Sequence, residues 1–311
     1  PENTRFSEAT RKKVAENARR FNYVPNQLAA NLRSGSTHAL AMVVPWNTPE
    51  MLDSAEMEAK KRGYTLSIHF TVSPDLEAER KAIAHAVGQR SDGLLWMPSQ
   101  TAWSYSRTIK RLRQSGTETI FLENGLPTMP EAGVVEIDYA TPIRFALQSM
   151  LERKVSNFLY INDGLKHKLR NDRAELFADF CRENDVFGSV ATVDTEDQVA
   201  PLLRESLPGT TILCEGDWLA IDILSVAQNE GLSFPEDLHL IAIGDLLIGN
   251  RFRIGEITHP QFSAIRRPSG DMARRAVAAL IERIENRSSA NSAKIKLAAE
   301  FIPRATTPSA I

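Results

Sequence analysis

The sequence is poor in the features that would tie a fold together covalently or hold it in a membrane. Only two cysteines, Cys181 and Cys214, occur in 311 residues, far apart in the chain. This spacing argues against a disulfide framework or a thiolate zinc site, and we expect both to be small apolar core residues. No apolar run is long enough to span a bilayer, and the polar start PENTRFSEATRKK lacks the apolar segment of a secretory signal. These absences predict a cytoplasmic protein with no membrane partner.

The signatures of the common enzyme classes are missing as well. We find no G-x-G-x-x-G after a strand, no G-x-x-x-x-G-K-[ST], no G-x-S-x-G and no H-E-x-x-H. The six histidines are scattered singly, which is more typical of surface or locally bonded histidines than of metal ligands. The sequence therefore predicts no enzymatic activity, no cofactor and no metal.

Charge is distributed unevenly along the chain. Residues 1–38 contain seven basic and three acidic residues, which leaves 30 of the 37 basic and 36 of the 39 acidic residues for the remainder. A small basic N-terminal part on an acidic body suits contact with nucleic-acid phosphates. A solvated helix face that happens to be basic explains the charge alone equally well.

The N-terminal segment reads as a helix followed by a break and a second, short helix. Ser7 can cap the first helix, and Val14, Ala18 and Phe21 fall on one face of it. A hinge helix is predicted over residues 26–34. A helix this short is not stable alone in water, so it needs a partner in order to fold.

From Ala39 onward, short apolar runs rich in β-branched residues alternate with helical patterns. The predicted strands are Ala39–Pro45, Thr65–Phe70, Gly93–Met97, Glu118–Leu122, Ser156–Ile161, Gly188–Val193, Thr210–Cys214 and Leu238–Ile243. The predicted helices are Pro49–Arg62, Leu76–Gln89, Pro142–Arg153, Arg173–Glu183, Asp217–Glu230 and Ser269–Arg287. This alternation predicts an α/β fold of two doubly wound parallel sheets, in two lobes around a cleft. We place the first lobe at 39–139 plus 268–288 and the second at 140–267 plus 289–311, because SSANSA after Arg287 is typical of a linker.

The stretch FSEATRKKVAENARRFNYVPNQLAANLRSGST, residues 6–37, closely resembles the third helix and hinge of the lactose/galactose-repressor (LacI/GalR) family of transcriptional regulators. Further matches to the family pattern are Gly63-Tyr64, Ser91-Asp92-Gly93, Pro235-Glu236-Asp237, Arg266 to Pro268 and Glu300 to Pro308. The resemblance implies a two-lobed core like that of periplasmic binding proteins, behind a DNA-binding headpiece of which residues 1–38 are the C-terminal part. It also implies that two further helices, a helix-turn-helix, precede the first residue of this sequence.

The resemblance assigns DNA contacts to the N-terminal part: Ser7, Tyr23, Asn26, Ala29, Leu32 and Arg33. In the family, two hinge helices from a dimer meet in the minor groove, where a leucine pair enters between base steps and bends the DNA. Leu32 occupies that position, and the small side chain of Ala29 lets the helices approach. The competing interpretation is an ordinary amphipathic helix that packs on the core.

For the core, the resemblance implies a small effector bound between the lobes. The candidate contacts are Trp46, Glu123, Asn124, Arg173, Asp217 and Asp245. Two polar contacts of the family pattern fall on Gly216 and Gly244. Capping a helix and closing a turn are the competing roles for Asp217 and Asp245, and a salt link between the lobes is the competing role for Arg173 with Glu123.

The leading prediction is a sequence-specific DNA-binding regulator, a repressor, that acts as a homodimer on operator DNA. Its affinity for the operator is expected to depend on a small effector, a sugar or sugar derivative. A periplasmic-type solute-binding protein without a DNA role is the alternative, because the same core fold would serve it. An enzyme on a doubly wound sheet is disfavoured by the missing motifs.

Overall fold

The computed structural model describes residues 7–21, 36–71, 75–100, 102–165, 167–249, 251–286 and 294–308. The chain divides into an N-terminal unit that ends at His38 and a core that begins at Ala39. In the N-terminal unit, helix α1 spans Glu8–Arg20, and the Ser7 side chain caps it by accepting a hydrogen bond from the Thr10 backbone at 3.3 Å. The predicted hinge helix at 26–34 lies outside the described residues, as do Tyr23, Asn26, Ala29, Leu32 and Arg33.

The core alternates strands and helices as the sequence predicts. Its strands are β1 Ala39–Val44, β2 Thr65–Phe70, β3 Gly93–Trp96, β4 Glu118–Glu123, β5 Gly133–Asp138, β6 Asn157–Asn162, β7 Phe187–Thr192, β8 Thr211–Glu215, β9 His239–Gly244, β10 Leu247–Ile248, β11 Phe252–Arg253, β12 Ser263–Arg266, β13 Lys294–Ala298 and β14 Glu300–Ile302. Its helices are α2 Pro49–Lys61, α3 Leu76–Gly88, α4 Ser106–Ser115, α5 Ala140–Glu152, α6 Lys168–Glu183, α7 Val199–Glu205, α8 Asp217–Asn229, α9 Ile254–Ile257 and α10 Ser269–Glu285.

The strands form two six-stranded sheets and a short hairpin of β10 with β11. The first sheet has the order β13-β5-β4-β3-β1-β2, and every pair in it is parallel. The second has the order β14-β12-β9-β8-β6-β7, with only β14 antiparallel. We call the part of the core built on the first sheet lobe 1 and the part built on the second sheet lobe 2. The predicted fold class is confirmed.

Parallel strands covered by helices on both faces are apolar along their whole length. In β1, β3 and β9 every residue is buried, apart from the half-buried Ala39 at the start of β1. Gly93 opens β3 because a Cβ there would lie 2.8 Å from the Leu280 side chain of α10. The glycine therefore allows α10 to pack closely against the first sheet.

The chain passes between the lobes three times, and the third passage is not where the sequence suggests. β13 pairs in parallel with β5, so Lys294–Ala298 lies in lobe 1, and the assignment of all of 289–311 to lobe 2 is wrong for this strand. The passage occurs at Ala299, between β13 and β14. The reason for the error is that β13 is an edge strand with exposed lysines, and only Leu297 is fully buried in it, so its pattern resembles a linker more than a core strand.

Candidate functional site

A cavity of about 320 Å³ lies between the two lobes. Lobe 1 contributes the loop between β1 and α2, and lobe 2 contributes the loops that follow β6, β7, β8, β9 and β12. The carboxyl ends of parallel strands are where open α/β sheets bind ligands. The polar and aromatic residues around it are Trp46, Asn47, Thr48, Asp163, Arg170, Arg173, Asp194, Thr195, Glu196, Glu215, Asp217, Trp218, Asp222 and Arg267.

A buried ion pair between Arg173 of α6 and Glu215 at the end of β8 forms the floor of the cavity. The Arg173 Nε donates to Glu215 Oε1 at 2.7 Å, and Nη2 donates to Oε2 at 2.9 Å. Tyr160 on β6 donates its hydroxyl to Glu215 Oε1 as well. The Arg173 guanidinium lies over the Tyr139 ring, 4.7 Å from its centroid. Arg173 is only 7% exposed, so the pair is shielded from solvent on nearly every side.

The ion pair holds both side chains in their charged forms. Burial alone opposes the charge on Arg173, but the neighbouring Glu215 carboxylate raises the pKa of Arg173 well above its usual value. Burial likewise raises the pKa of Glu215, but Arg173 outweighs it and the net pKa is lowered. With Nε and Nη2 engaged, the Arg173 Nη1 has no hydrogen-bond partner among the described residues. Nη1 is therefore the nitrogen of this guanidinium that still lacks an acceptor in the described structure.

Trp46 of lobe 1 contacts lobe 2 at the side of the cavity. The centroid of its ring lies 4.9 Å from the centroid of the His167 ring and 5.6 Å from Cζ of Arg170. The backbone N–H of Lys168 donates across the lobes to the carbonyl of Ser99 at 3.2 Å. These contacts join the N-terminal part of α6, which carries Arg170 and Arg173, to the loops that follow β1 and β3.

His167 is fully buried and caps α6. Its Nδ1 accepts a hydrogen bond from the Leu169 backbone at 3.3 Å, so the ring proton belongs on Nε2, which has no partner in the described structure. Burial, together with the charges of Arg173 and Arg170, lowers the pKa of His167 to about 3. The ring is therefore neutral at ordinary pH, and it adds no charge beside the arginines.

Three of the predicted effector contacts do not reach the cavity lining. Glu123 is buried at the end of β4, where its Oε1 lies 3.6 Å from Arg267. Asn124 follows it, with neither side-chain Nδ2 nor Oδ1 hydrogen-bonded in the described structure. Asp245 accepts from Arg266 at 2.7 Å and from Arg304 at 2.8 Å. Glu123 and Arg173 therefore do not pair with each other.

Asp217 does line the cavity, but its carboxylate closes a turn. Its Oδ1 accepts from the Asp245 backbone at 2.5 Å and its Oδ2 from the Leu246 backbone at 3.1 Å. Gly244 is needed for this contact, because a Cβ there would lie 2.4 Å from Asp217 Oδ1. The glycine that departs from the family pattern thus allows Asp217 to brace the loop after β9, a role that the sequence kept open.

The prediction from sequence missed Glu215, Tyr160, Arg170 and Arg267. A signal for Glu215 was present, since it ends the otherwise apolar strand TILCE on β8. A carboxylate at the end of a buried strand requires a partner or a ligand.

Among the described residues, no group of three or more histidines, cysteines or carboxylates is arranged to hold a metal ion. No helix in the described part of the chain is both long enough and apolar enough to cross a membrane.

Comparison with known proteins agrees with this architecture. The family model of the periplasmic binding protein-like domain matches residues 147–307, just over half of the chain. The HTH-type transcriptional repressor PurR of Vibrio atlanticus is 24% identical over 300 residues, which cover 91% of this chain and 86% of that protein. Catabolite control protein A of Staphylococcus epidermidis is 23% identical over 273 residues, covering 85% of this chain and 80% of that protein.

Among solved structures, the Lac repressor bound to ONPG in the repressed state superposes with a TM-score of 0.81 at 16% identity, covering 98% of this chain and 93% of that one. At this identity the likeness is one of fold. The chain belongs to the periplasmic binding protein-like family, among the transcriptional regulators of the lactose/galactose-repressor type. Its curated relatives are regulators of transcription and not enzymes.

Proposed function

We propose that this protein is a repressor whose affinity for operator DNA is controlled by a small polar effector bound in the cavity between its lobes. The observation that carries the proposal is the floor of that cavity. Arg173 is buried and bound to Glu215, and its Nη1 amino group has no hydrogen-bond partner among the residues that the structure describes. Leaving a buried donor unpaired costs roughly 1–3 kcal/mol, and a bound ligand oxygen would recover this cost.

The cavity also provides a route by which a ligand would bias the lobes. A molecule that accepts from Arg173 in lobe 2 and packs on Trp46 of lobe 1 would favour the arrangement in which both contacts are made. The resemblance assigns the hinge to residues 26–34, directly before β1 of lobe 1. A shift between the lobes of a homodimer would therefore alter the spacing of the two hinge helices. Such couplings typically amount to about 1–3 kcal/mol, or about 5-fold to 150-fold in affinity.

The proposal includes a cytoplasmic location, a homodimer and operator DNA as the partner. Relatives of this chain are named as repressors, and the Lac repressor structure holds the small molecule ONPG. By analogy, a sugar or sugar derivative remains the first effector class to test. The headpiece residues predicted to touch DNA, Tyr23, Asn26, Ala29, Leu32 and Arg33, together with Ser7, keep the roles that the resemblance implies.

Native mass spectrometry of protein purified without added ligand tests the cavity directly. We expect a co-purified small molecule on the parent protein and its loss from Arg173→Ala. Arg144→Ala is the matched control, because it removes an arginine of lobe 2 whose ion pair with Glu183 is exposed and outside the cavity. Retention of the molecule by Arg173→Ala would contradict the assignment of the site.

Selection from a random duplex library with the full-length protein tests the DNA role. We expect enrichment of a site with two-fold symmetry, since a dimer reads two half-sites. Ligand binding without any enriched sequence would favour the solute-binding alternative.

A further inference from the structure

The mouth of the cavity carries three carboxylates and an exposed indole. Asp194 and Glu196 lie in the loop after β7, and Trp218 and Asp222 lie on α8, four residues apart and so on one helix face. Trp218 is 68% exposed, which is unusual for a side chain of its size. In the described part of the chain, none of the three carboxylates has a hydrogen-bond or ion-pair partner for its side chain.

Two of the carboxylates that line the mouth, Asp222 and Glu196, interact electrostatically. Burial raises the pKa of Asp222, and the nearby charge of Glu196 raises it further. Neighbouring carboxylates without a cation between them repel, so a bound positive charge would relieve this repulsion. The face of an indole attracts a cation within about 6 Å of the ring, and Trp218 offers such a face beside the acids.

The floor of the cavity sets an independent limit on the ligand. A carboxylate or phosphate binds arginine best through two parallel N–H bonds, and Glu215 already occupies the Nε–Nη2 edge of Arg173 in this way. The arginines of the lining are already paired with carboxylates: Arg173 with Glu215, Arg170 with Asp163, and Arg267 with Glu123 at 3.6 Å. An anion at the floor would therefore find no cation there that lacks a carboxylate neighbour. A neutral hydroxyl or carbonyl oxygen can accept from Nη1 without adding a charge.

We propose that the effector is a cationic, hydroxylated molecule, of the class of amino sugars and aminated polyols. Its oxygen-bearing body accepts from Arg173 at the floor, and its protonated amine lies at the mouth beside Trp218, Asp222 and Glu196. The cavity volume of about 320 Å³ is at the small end of ligand pockets, which fits a molecule of one ring. This inference rests on the proposed effector role of the cavity.

Three panels of small polar metabolites, matched in size but cationic, neutral or anionic, test the charge preference. Glucosamine, glucose and glucuronate serve as one ring-matched set within them. Thermal shift of the full-length protein identifies binders, and calorimetry gives their affinities. We expect the tightest binder to be cationic and its affinity to fall at least about tenfold in the double variant Asp222→Asn, Glu196→Gln.

Asp197→Asn is the matched control, because it removes the same charge from an exposed residue that does not line the cavity; it should leave the affinity unchanged. Trp218→Leu removes the indole and leaves every carboxylate in place, so it should weaken the binding of cationic ligands and leave that of neutral ligands unchanged. The inference is overturned if the tightest binder is neutral or anionic. It is also overturned if a cationic binder has the same affinity for the parent, for the double variant and for Trp218→Leu. If no panel yields a binder, the proposed effector function of the cavity fails with it.

Discussion

Replacing Glu215 with glutamine tests whether the cavity floor is a buried ion pair. Glu215→Gln keeps the shape of the side chain and one acceptor oxygen, but it places an amide NH₂ where Oε2 now accepts from Arg173 at 2.9 Å. The guanidinium then remains buried without its counter-charge. Removing one partner of a buried pair typically costs about 3–5 kcal/mol, and Arg173 is 7% exposed, so this range applies here. For a unit the size of one lobe, the loss corresponds to a fall in Tm of roughly 6–20 °C.

Differential scanning calorimetry of the parent and variant measures this shift. Glu183→Gln is the control, since it removes a carboxylate from an equally bidentate pair with Arg144 that is exposed to solvent; exposed pairs contribute little. The triple replacement Arg173→Met, Glu215→Leu, Tyr160→Phe should recover much of the lost stability, because it leaves no unpaired charge and no buried Tyr160 hydroxyl without its acceptor. If Glu215→Gln is as mild as Glu183→Gln, the floor is solvated and the reasoning about its spare donor fails.

Three further predictions address the helix cap, the dimer and the hinge. His167 has a folded pKa of about 3 against an unfolded value near 6.5, so its contribution to stability falls as the pH drops from about 6.5 to 3, by up to about 1.4 kcal/mol per pH unit. His167→Asn keeps a capping acceptor but does not titrate, so it should flatten the dependence of the unfolding free energy on pH in that window. Unfolding free energies from urea titrations at several pH values measure this dependence, and the same dependence in parent and variant would refute the lowered pKa of His167. We expect the dimer to form through lobe 1 and its helix α2, because two short hinge helices can stabilise one another only if the adjoining lobes hold them adjacent. Met57 is 72% exposed on α2, so Met57→Lys should weaken dimerisation in sedimentation experiments while Phe187→Lys, on edge strand β7, should not. Leu32→Ala should weaken operator binding far more than binding to random DNA, because an intercalated leucine stabilises only DNA that can bend there; equal losses in gel-shift titrations would exclude the wedge.

Much of the core could be predicted from sequence because most buried parallel strands and their covering helices have regular apolar patterns. All eight predicted strands and six predicted helices occur within two residues of their bounds, except that α6 begins at Lys168, five residues before the predicted Arg173. The missed elements include two mostly buried strands, β5, which the exposed Glu136 interrupts, and β12, which has only four residues, and several elements whose burial is partial. Helix α4, SRTIKRLRQS, buries only Thr108, Ile109 and Leu112, and its many basic residues hide this narrow apolar face. The edge strands β13 and β14 are short and mostly exposed.

The candidate site was less accessible to sequence reasoning, because it depends on which polar groups already satisfy one another. Arg173 follows from the family resemblance, but its partner Glu215 lies 42 residues away and no local pattern joins them. Asp245 stands next to a family contact position, yet two arginines from β12 and the C-terminal segment hold its carboxylate away from the cavity. Pairings of this kind are fixed by tertiary packing and not by local spacing.

The affinity of the full-length protein for its operator, measured with and without the bound effector in the parent and in Arg173→Ala, tests the central claim most directly. The account predicts that the effector changes the operator Kd of the parent by about 5-fold to 150-fold. It predicts no change for Arg173→Ala at the same effector concentration, with the thermal transition of the ligand-free variant showing that it is folded. An effector response in Arg173→Ala equal to that of the parent would contradict the claim that this cavity controls DNA binding.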